Sequence, residues 1–281
     1  MTSRPQRCAA CHQAEPIFPF TMAFQPIVDA RSNRIVAHEA LVRGRGGDGA
    51  ATVLSQITDE NVYAFDQACR VKAIEMAAAL GLTGGLSINF LPRAVYEPKA
   101  CIRQTLAAAA RTGFPLNQLT FEIVEHEQIT DIAHIRSIID EYRRLGFKIA
   151  LDDFGMGYSS LARLAALEPD VIKLDRELIS DCDMHEARLT IVARMVSLTD
   201  QLGVRLVAEG VERQGEVEAL RSVGVRLMQG YYFSRPIFQG FARPDDINWP
   251  EPTIDIAASA ARMAAVPPAA SSMAASSFAA G

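Results

Sequence analysis

Two patterns of apolar positions alternate along this chain. Short, nearly continuous apolar runs bounded by Gly, Pro, Asn or Asp have the form of buried strands. The first is Phe20 to Asp29 (FTMAFQPIVD), and Ile35 to Arg43 (IVAHEALVR), Leu86 to Leu91 (LSINFL) and Leu119 to Glu125 (LTFEIVE) follow. Ile149-Ala150-Leu151 ends at Asp152-Asp153, and Val171-Ile172 leads to Lys173 and Asp175. The last two are Arg205 to Glu212 (RLVAEGVE) and Arg226 to Pro236 (RLMQGYYFSRP). Between them, apolar residues recur at helical spacing. Helices are predicted over Asn61 to Leu80, 98–112, about 132–145 with Ile135, Ile138, Ile139 and Tyr142 on one face, 185–202 and 214–223, with a short one between the fifth and sixth strands.

Three joints repeat one form: Leu145-Gly146-Phe147-Lys148, Leu202-Gly203-Val204-Arg205 and Val223-Gly224-Val225-Arg226. In each, a helix ends on Gly, an apolar and a basic residue follow, and a strand begins. Alternating helices and apolar strands call for a parallel sheet. Eight such strands in about 220 residues fit a (β/α)8 barrel of the TIM type better than an open sheet. The first two strands are separated only by Ala30-Arg31-Ser32-Asn33. Parallel neighbours need a long crossover, so one antiparallel strand is expected near the start. The barrel is expected over 18–248. Residues 1–17 form an irregular lead-in with no secretory h-region. The Ala-, Ser- and Pro-rich stretch 249–281 is expected to be a disordered tail, with room for a short helix around 255–265. The stretch GRGGDGAAT after the second strand is expected to be a mobile connection.

Composition narrows the partners. The chain has 281 residues, 49% of them hydrophobic, and a formal net charge of −5. That charge argues against non-specific nucleic-acid binding. No apolar run approaches the roughly 18 residues that a membrane span needs, so a cytoplasmic protein without a membrane partner is expected. Five cysteines, at 8, 11, 69, 101 and 182, are no disulfide framework. Cys8-Ala9-Ala10-Cys11-His12 matches a haem-attachment spacing but lacks an export signal, and as a zinc or redox site it lacks a second ligand pair. A solvated segment carrying two thiols is the expectation.

The chemistry lies in the polar residues that interrupt the apolar runs: Glu39, Asn89, Glu122, Asp152, Asp153, Lys173, Glu209 and Gln229. Taken singly, each is explained as a strand-end hydrogen bond, an N-cap or a surface ion pair. Together they come from seven consecutive strands, whose C-terminal ends meet on one face of a barrel. So many acids repel one another unless cations hold them. An all-oxygen set suits magnesium or manganese. Room for two ions is the arrangement used in phosphoester cleavage.

These residues lie in motifs: QPIV at 25–28, EALVR at 39–43, INF at 88–90, FEIVE at 121–125, DDFGMGYSS at 152–160, IKLD at 172–175, AEGVE at 208–212 and QGYYFSRP at 229–236. In that order they resemble the EAL family of cyclic di-GMP phosphodiesterases over about residues 20–240. The resemblance implies a (β/α)8-type barrel and two-metal hydrolysis of cyclic di-GMP to linear pGpG with Mg2+ or Mn2+. By the same resemblance Glu39, Asn89, Glu122 and Asp152 hold metal, and Asp153 serves the second ion. Glu209 is a further ligand or orients water, and Lys173 positions or helps activate the attacking water. Substrate contacts fall to Gln25, Leu41, Arg43, Gln229 and Pro236, with Arg43 on a phosphate. Phe154, Gly155, Met156, Gly157, Tyr158, Ser159 and Ser160 resemble a regulatory loop that couples metal binding to dimer contacts, and Glu125 and Glu212 resemble residues that hold it. A homodimer, and input from a separate sensor or regulatory protein, are implied too. Val124, His126 and Met156 depart from the commoner family residues without removing a ligand; His38 and His126 are expected beside the site rather than in it. A non-catalytic cyclic di-GMP receptor or protein-interaction module is the alternative reading.

Overall fold

The computed structural model describes residues 18–95, 97–123, 132–155 and 161–251, apart from the side chain of Arg93. Expectations for Cys8, Cys11, His12, Val124, Glu125, His126, Met156, Gly157, Tyr158, Ser159, Ser160 and a helix at 255–265 lie outside the described residues. The first hairpin sets the topology. Strand β1 (Phe20–Asp29) is buried at every position. It pairs antiparallel with β2 (Arg34–Gly44) from Phe20 opposite Gly44 to Asp29 opposite Arg34, with an irregularity at Ile27/Val28. The turn between them is built by its own side chains. Asp29 Oδ1 accepts the backbone N–H of Arg31 (2.9 Å) and Ser32 (3.1 Å), and Asn33 takes a positive φ of 49°.

From β2 onward the sheet is parallel: β3 (Gly85–Phe90), β4 (Leu119–Ile123), β5 (Lys148–Phe154), β6 (Val171–Leu174), β7 (Arg205–Ala208) and β8 (Leu227–Met228). Strand β8 then pairs antiparallel with β1, which closes an eight-stranded barrel with β1 as its antiparallel member. The expected fold and the antiparallel strand are both present. The intervening helices are α1 (Ala50–Leu54), α2 (Val62–Ala79), α3 (Pro98–Cys101), α4 (Arg103–Thr112), α5 (Ile132–Arg144), α6 (Leu161–Leu167), α7 (Arg176–Ile179), α8 (Glu186–Leu202) and α9 (Gln214–Ser222). At the three repeated joints Gly146, Gly203 and Gly224 take φ of 94°, 68° and 95°, the left-handed turn a side chain resists. The described residues up to Pro250 belong to one compact unit.

Several predicted boundaries are corrected. The helix predicted over 98–112 is two, α3 and α4, joined at Ile102. The connection after β2 runs into α1, anchored by buried Val53. The strands predicted over 205–212 and 226–236 end at Ala208 and Met228. Gly210 has φ of 67°, and a Cβ there would meet the Arg176 side chain at 2.5 Å. At Gly230 a Cβ would overlap the Val211 carbonyl. Ile237–Phe238 returns as a ninth short strand, β9, pairing with Ala23 and Phe24 of β1.

The barrel interior carries a small apolar cluster of Ile27, Ala150, Val171 and Val207. The larger cores lie between strands and helices. Phe90, Phe121, Tyr142 and Phe147 interlock there with ring centroids 5.1–6.0 Å apart. Burying each such side chain contributes about 1.5–3 kcal/mol. That packing fixes the strands from outside and leaves the inner, C-terminal end free for polar residues.

Candidate active site

Parallel register carries the polar positions to one mouth of the barrel. Asn89 lies opposite Glu122 in β3 and β4, and Gln25 of β1 lies opposite Glu39 of β2. Asp152 ends the regular part of β5, Lys173 is in β6, and Glu209 and Gln229 follow β7 and β8 directly. All eight positions predicted from the interrupted runs surround this mouth. A cavity of about 250 Å³ opens there, lined by Gln25, Glu39, Asp152, Asp153, Glu209 and Gln229 among others.

Lys173 is the hub. Its Nζ is 2.6 Å from Glu209 Oε1, 2.9 Å from Glu122 Oε2, 3.0 Å from Asp152 Oδ1 and 3.5 Å from Glu39 Oε2, and the residue is 1% exposed. Burial disfavours the ammonium, but the surrounding carboxylates overcome it and hold the lysine well above its ordinary pKa. Burial pushes Glu122 and Glu209 well above the usual carboxylate range, against the pull of Lys173. The arrangement is therefore short of positive charge: four carboxylates share one ammonium.

The amides complete the frame. Asn89 Nδ2 donates to Glu39 Oε1 (2.9 Å), which leaves the Asn89 Oδ1 as the atom it can offer a cation. Gln229 Nε2 donates to Glu39 Oε2 (2.7 Å) and to Gln25 Oε1 (3.2 Å), and Gln25 Nε2 donates to the Ser234 carbonyl (3.1 Å). Glu122 is wholly buried, yet its Oε1 has no hydrogen-bond partner. An orphaned carboxylate oxygen in an acid-rich cup is an atom that a bound cation would satisfy. Within the cup, two groups of carboxylates come close enough to share an ion: Glu39, Glu122 and Asp152, and Asp152, Asp153 and Glu209. Asp152 belongs to both, and Asp153 reaches its place through a positive φ of 52° where the β5–β6 register shifts. The donor set fits two hard divalent cations.

Other expected residues sit further out. Leu41 and Arg43 follow Glu39 on the same strand face, and Arg43 Nη1 donates to its neighbour's Val42 carbonyl (2.7 Å). Neither they nor Pro236 lines the 250 Å³ cavity. Glu212 pairs with Arg176 (3.0 Å). Phe154 is buried at the end of β5, and Gly155 follows with φ of 114°. His38 points away from the cup: its ring lies 4.7 Å from Phe241, neither ring nitrogen has a partner, and burial pushes its pKa down to about 4. Asp175, Arg176 and Gly210 also line the cavity and were missed. Asp175 caps α7 through the Glu177 N–H (2.6 Å). Asp175 and Arg176 lie past the apolar run of the sixth strand, and Gly210 carries no polar side chain, so the apolar pattern gives no signal. The glycine of AEGVE, in contact with Arg176, was the available clue.

Comparison with known proteins agrees with this geometry. The EAL domain model matches residues 19–236. The blue light- and temperature-regulated antirepressor BluF of Escherichia coli (strain K12) is 30% identical over 230 residues, covering 82% of this chain and 56% of that protein. This chain thus spans about half the length of that relative. Among solved structures, a standalone versatile EAL protein from Vibrio cholerae O395, in its c-di-GMP-bound form, is similar at a TM-score of 0.79 and 46% identity, covering 83% of this chain and 99% of that one. BlrP1 of Klebsiella pneumoniae, in a manganese/cyclic di-GMP complex, is similar at a TM-score of 0.75 and 36% identity, covering 82% and 59%. Among the described residues, no helix is long and apolar enough to cross a membrane.

Proposed function

The chain belongs to the EAL domain family, and from that premise we propose that it is a metal-dependent phosphodiesterase that hydrolyses cyclic di-GMP to linear pGpG. The observation that carries this reading is the charge shortfall of the cup: Glu39, Glu122, Asp152 and Glu209 gathered on Lys173, with Glu122 Oε1 unpartnered. Glu39, Asn89, Glu122, Asp152, Asp153 and Glu209 would hold two divalent cations. When bound, those ions would supply Lewis acidity and would lower the pKa of the attacking water.

The protein's own groups do the rest. Lys173 fixes three carboxylates at hydrogen-bonding distance and keeps a positive charge beside the cavity where water attacks. Gln229 and Asn89 hold both oxygens of Glu39, so that carboxylate cannot rotate. Water adds to one phosphorus, the bond from that phosphorus to the ribose 3′ oxygen breaks, and the product keeps a 5′ phosphate. Gln25, Leu41, Arg43, Gln229 and Pro236 would contact the substrate, Arg43 turning from the Val42 carbonyl to a phosphate oxygen. The segment from Phe154 to Ser160 starts at the kinked Asp153, and we assign it, with Glu125 and Glu212, to regulation of the cup.

The test is incubation of the purified protein with cyclic di-GMP in magnesium, manganese or chelator, with products resolved by chromatography. Metal-dependent appearance of pGpG is expected. A second reading, a non-catalytic cyclic di-GMP receptor, has one observation in its favour: the relative BluF is named as an antirepressor. Tight binding with intact cyclic di-GMP under every metal condition would select it.

A further inference from the structure

A second buried ion pair lies outside the barrel, behind the cup. Asp66 and Arg70 are one turn apart on α2, and Arg70 is 0% exposed. Arg70 Nη2 donates to Asp66 Oδ2 (2.6 Å), and its Nη1 donates to the Tyr142 hydroxyl of α5 (3.4 Å). Asp66 Oδ1 accepts the backbone N–H of Leu91 (3.2 Å), just past the end of β3. The Arg70 guanidinium carbon lies 5.7 Å from the ring centre of Phe90 and 5.9 Å from that of Phe121. Side chains alternate across a strand, so Phe90 and Phe121 face outward while their neighbours Asn89 and Glu122 face the cup. The pair therefore touches the outer neighbour of two residues that lie opposite each other in register at the site.

Stability does not explain this arrangement. A buried ion pair of this kind is commonly matched or bettered by apolar residues of similar volume. We propose that Asp66 and Arg70 are positioning residues for the metal site. Asp66 pins the chain after β3 through Leu91 and so sets the depth of Asn89, and Arg70 braces Phe90 and Phe121 and so sets the spacing between Asn89 and Glu122. This rests on the metal reading of the cup, in which those two residues supply ligands from adjacent strands. A cation with short, fixed ligand distances senses small shifts in that spacing, and partners behind ligands commonly contribute about 10- to 100-fold to metal affinity.

Manganese binding to the full chain, freed of metal, is measured by calorimetry alongside thermal unfolding. Asp66→Leu/Arg70→Met is expected to melt at or above the wild-type temperature in chelator and yet bind manganese about tenfold or more weakly. Asp66→Asn/Arg70→Met keeps an oxygen for the Leu91 N–H and is expected to recover the part of that loss owed to this hydrogen bond, while the part owed to the Arg70 ring contacts persists. Wild-type affinity in a folded Asp66→Leu/Arg70→Met overturns the proposal. Should that variant fail to fold, Arg70→Lys keeps the charge for Asp66 and loses the flat contact with both rings; unchanged affinity there overturns it equally. Wild-type protein that takes up no manganese overturns the metal reading and this proposal with it.

Discussion

Lys173 and Arg70 are both cations shut away from water, and they are balanced in opposite ways. Arg70 has one carboxylate, Asp66, and its Nε and Nη1 donate to a backbone carbonyl and a tyrosine hydroxyl. Lys173 has four carboxylates within 3.5 Å. Each arrangement bears the desolvation cost of buried charge, which is several kcal/mol per ion. At Arg70 that cost is met within the protein, and the pair needs no ligand to complete it. At Lys173 it is met only in part, and the excess acid stays available to a ligand that brings positive charge. Whether a buried charge cluster closes on itself is thus a better guide to ligand binding than whether it is buried.

The largest expected effect comes from removing the hub. Lys173→Met should lower turnover of cyclic di-GMP by about a hundredfold or more, the range for a group that acts on the proton of an attacking water. Manganese affinity should hold or rise, because the cup becomes more negative. Loss of turnover with retained binding separates a working lysine from a mere counter-ion. Full turnover in the variant would make Lys173 a counter-ion that takes no part in the chemistry.

Neutralising one acid gives the next effect. Glu122→Gln should leave the metal-free protein about as stable as wild type, because it removes a like charge from an acid-rich cup. Wild type should gain about 2.7 kcal/mol when manganese stands at 100 times its dissociation constant, and the variant should gain much less at the same concentration. Melting curves with and without manganese read both quantities. A metal-free Glu122→Gln protein that is strongly destabilised would mean that the cup is as closed as the Asp66–Arg70 pair.

The two regions were not equally legible. The cup shows in the sequence because acids and amides break apolar strands at matching places, and a barrel brings matching places together. The eight interrupting residues therefore meet as expected, and so does the antiparallel β1, required by a four-residue turn. Asp66 and Arg70 gave no such signal. An acid and a base four residues apart on a helix have the form of a solvated surface pair, and only the packing of α2 against Phe90 and Phe121 shows that they are enclosed. The contacts of Gly210 with Arg176 and of Gly230 with Val211 were hidden for a related reason: they cross between segments, and local pattern does not register them.

A third ion pair, at the opposite end of the barrel, sharpens the contrast with the smallest expected effect. Asp29 Oδ2 accepts from Arg226 Nη2 at 2.7 Å, but the arginine side chain is 61% exposed. Burial tends to raise the Asp29 pKa; the bond to Arg226 and the Ser32 and Arg31 N–H groups outweigh it and hold the carboxyl below its ordinary value of 3.8. A carboxyl depressed in the folded state lends stability above its unfolded pKa and loses it as pH falls through the folded one. Asp29→Asn keeps an oxygen for the turn and loses the charge, so solvent screening limits its cost to about 1 kcal/mol or less at pH 7. The gap between variant and wild type should close as pH drops below about 4, and added salt should narrow it at neutral pH. A gap that stays constant with both pH and salt would place Asp29 with Asp66, as an acid whose work is done by its hydrogen bonds and not by its charge.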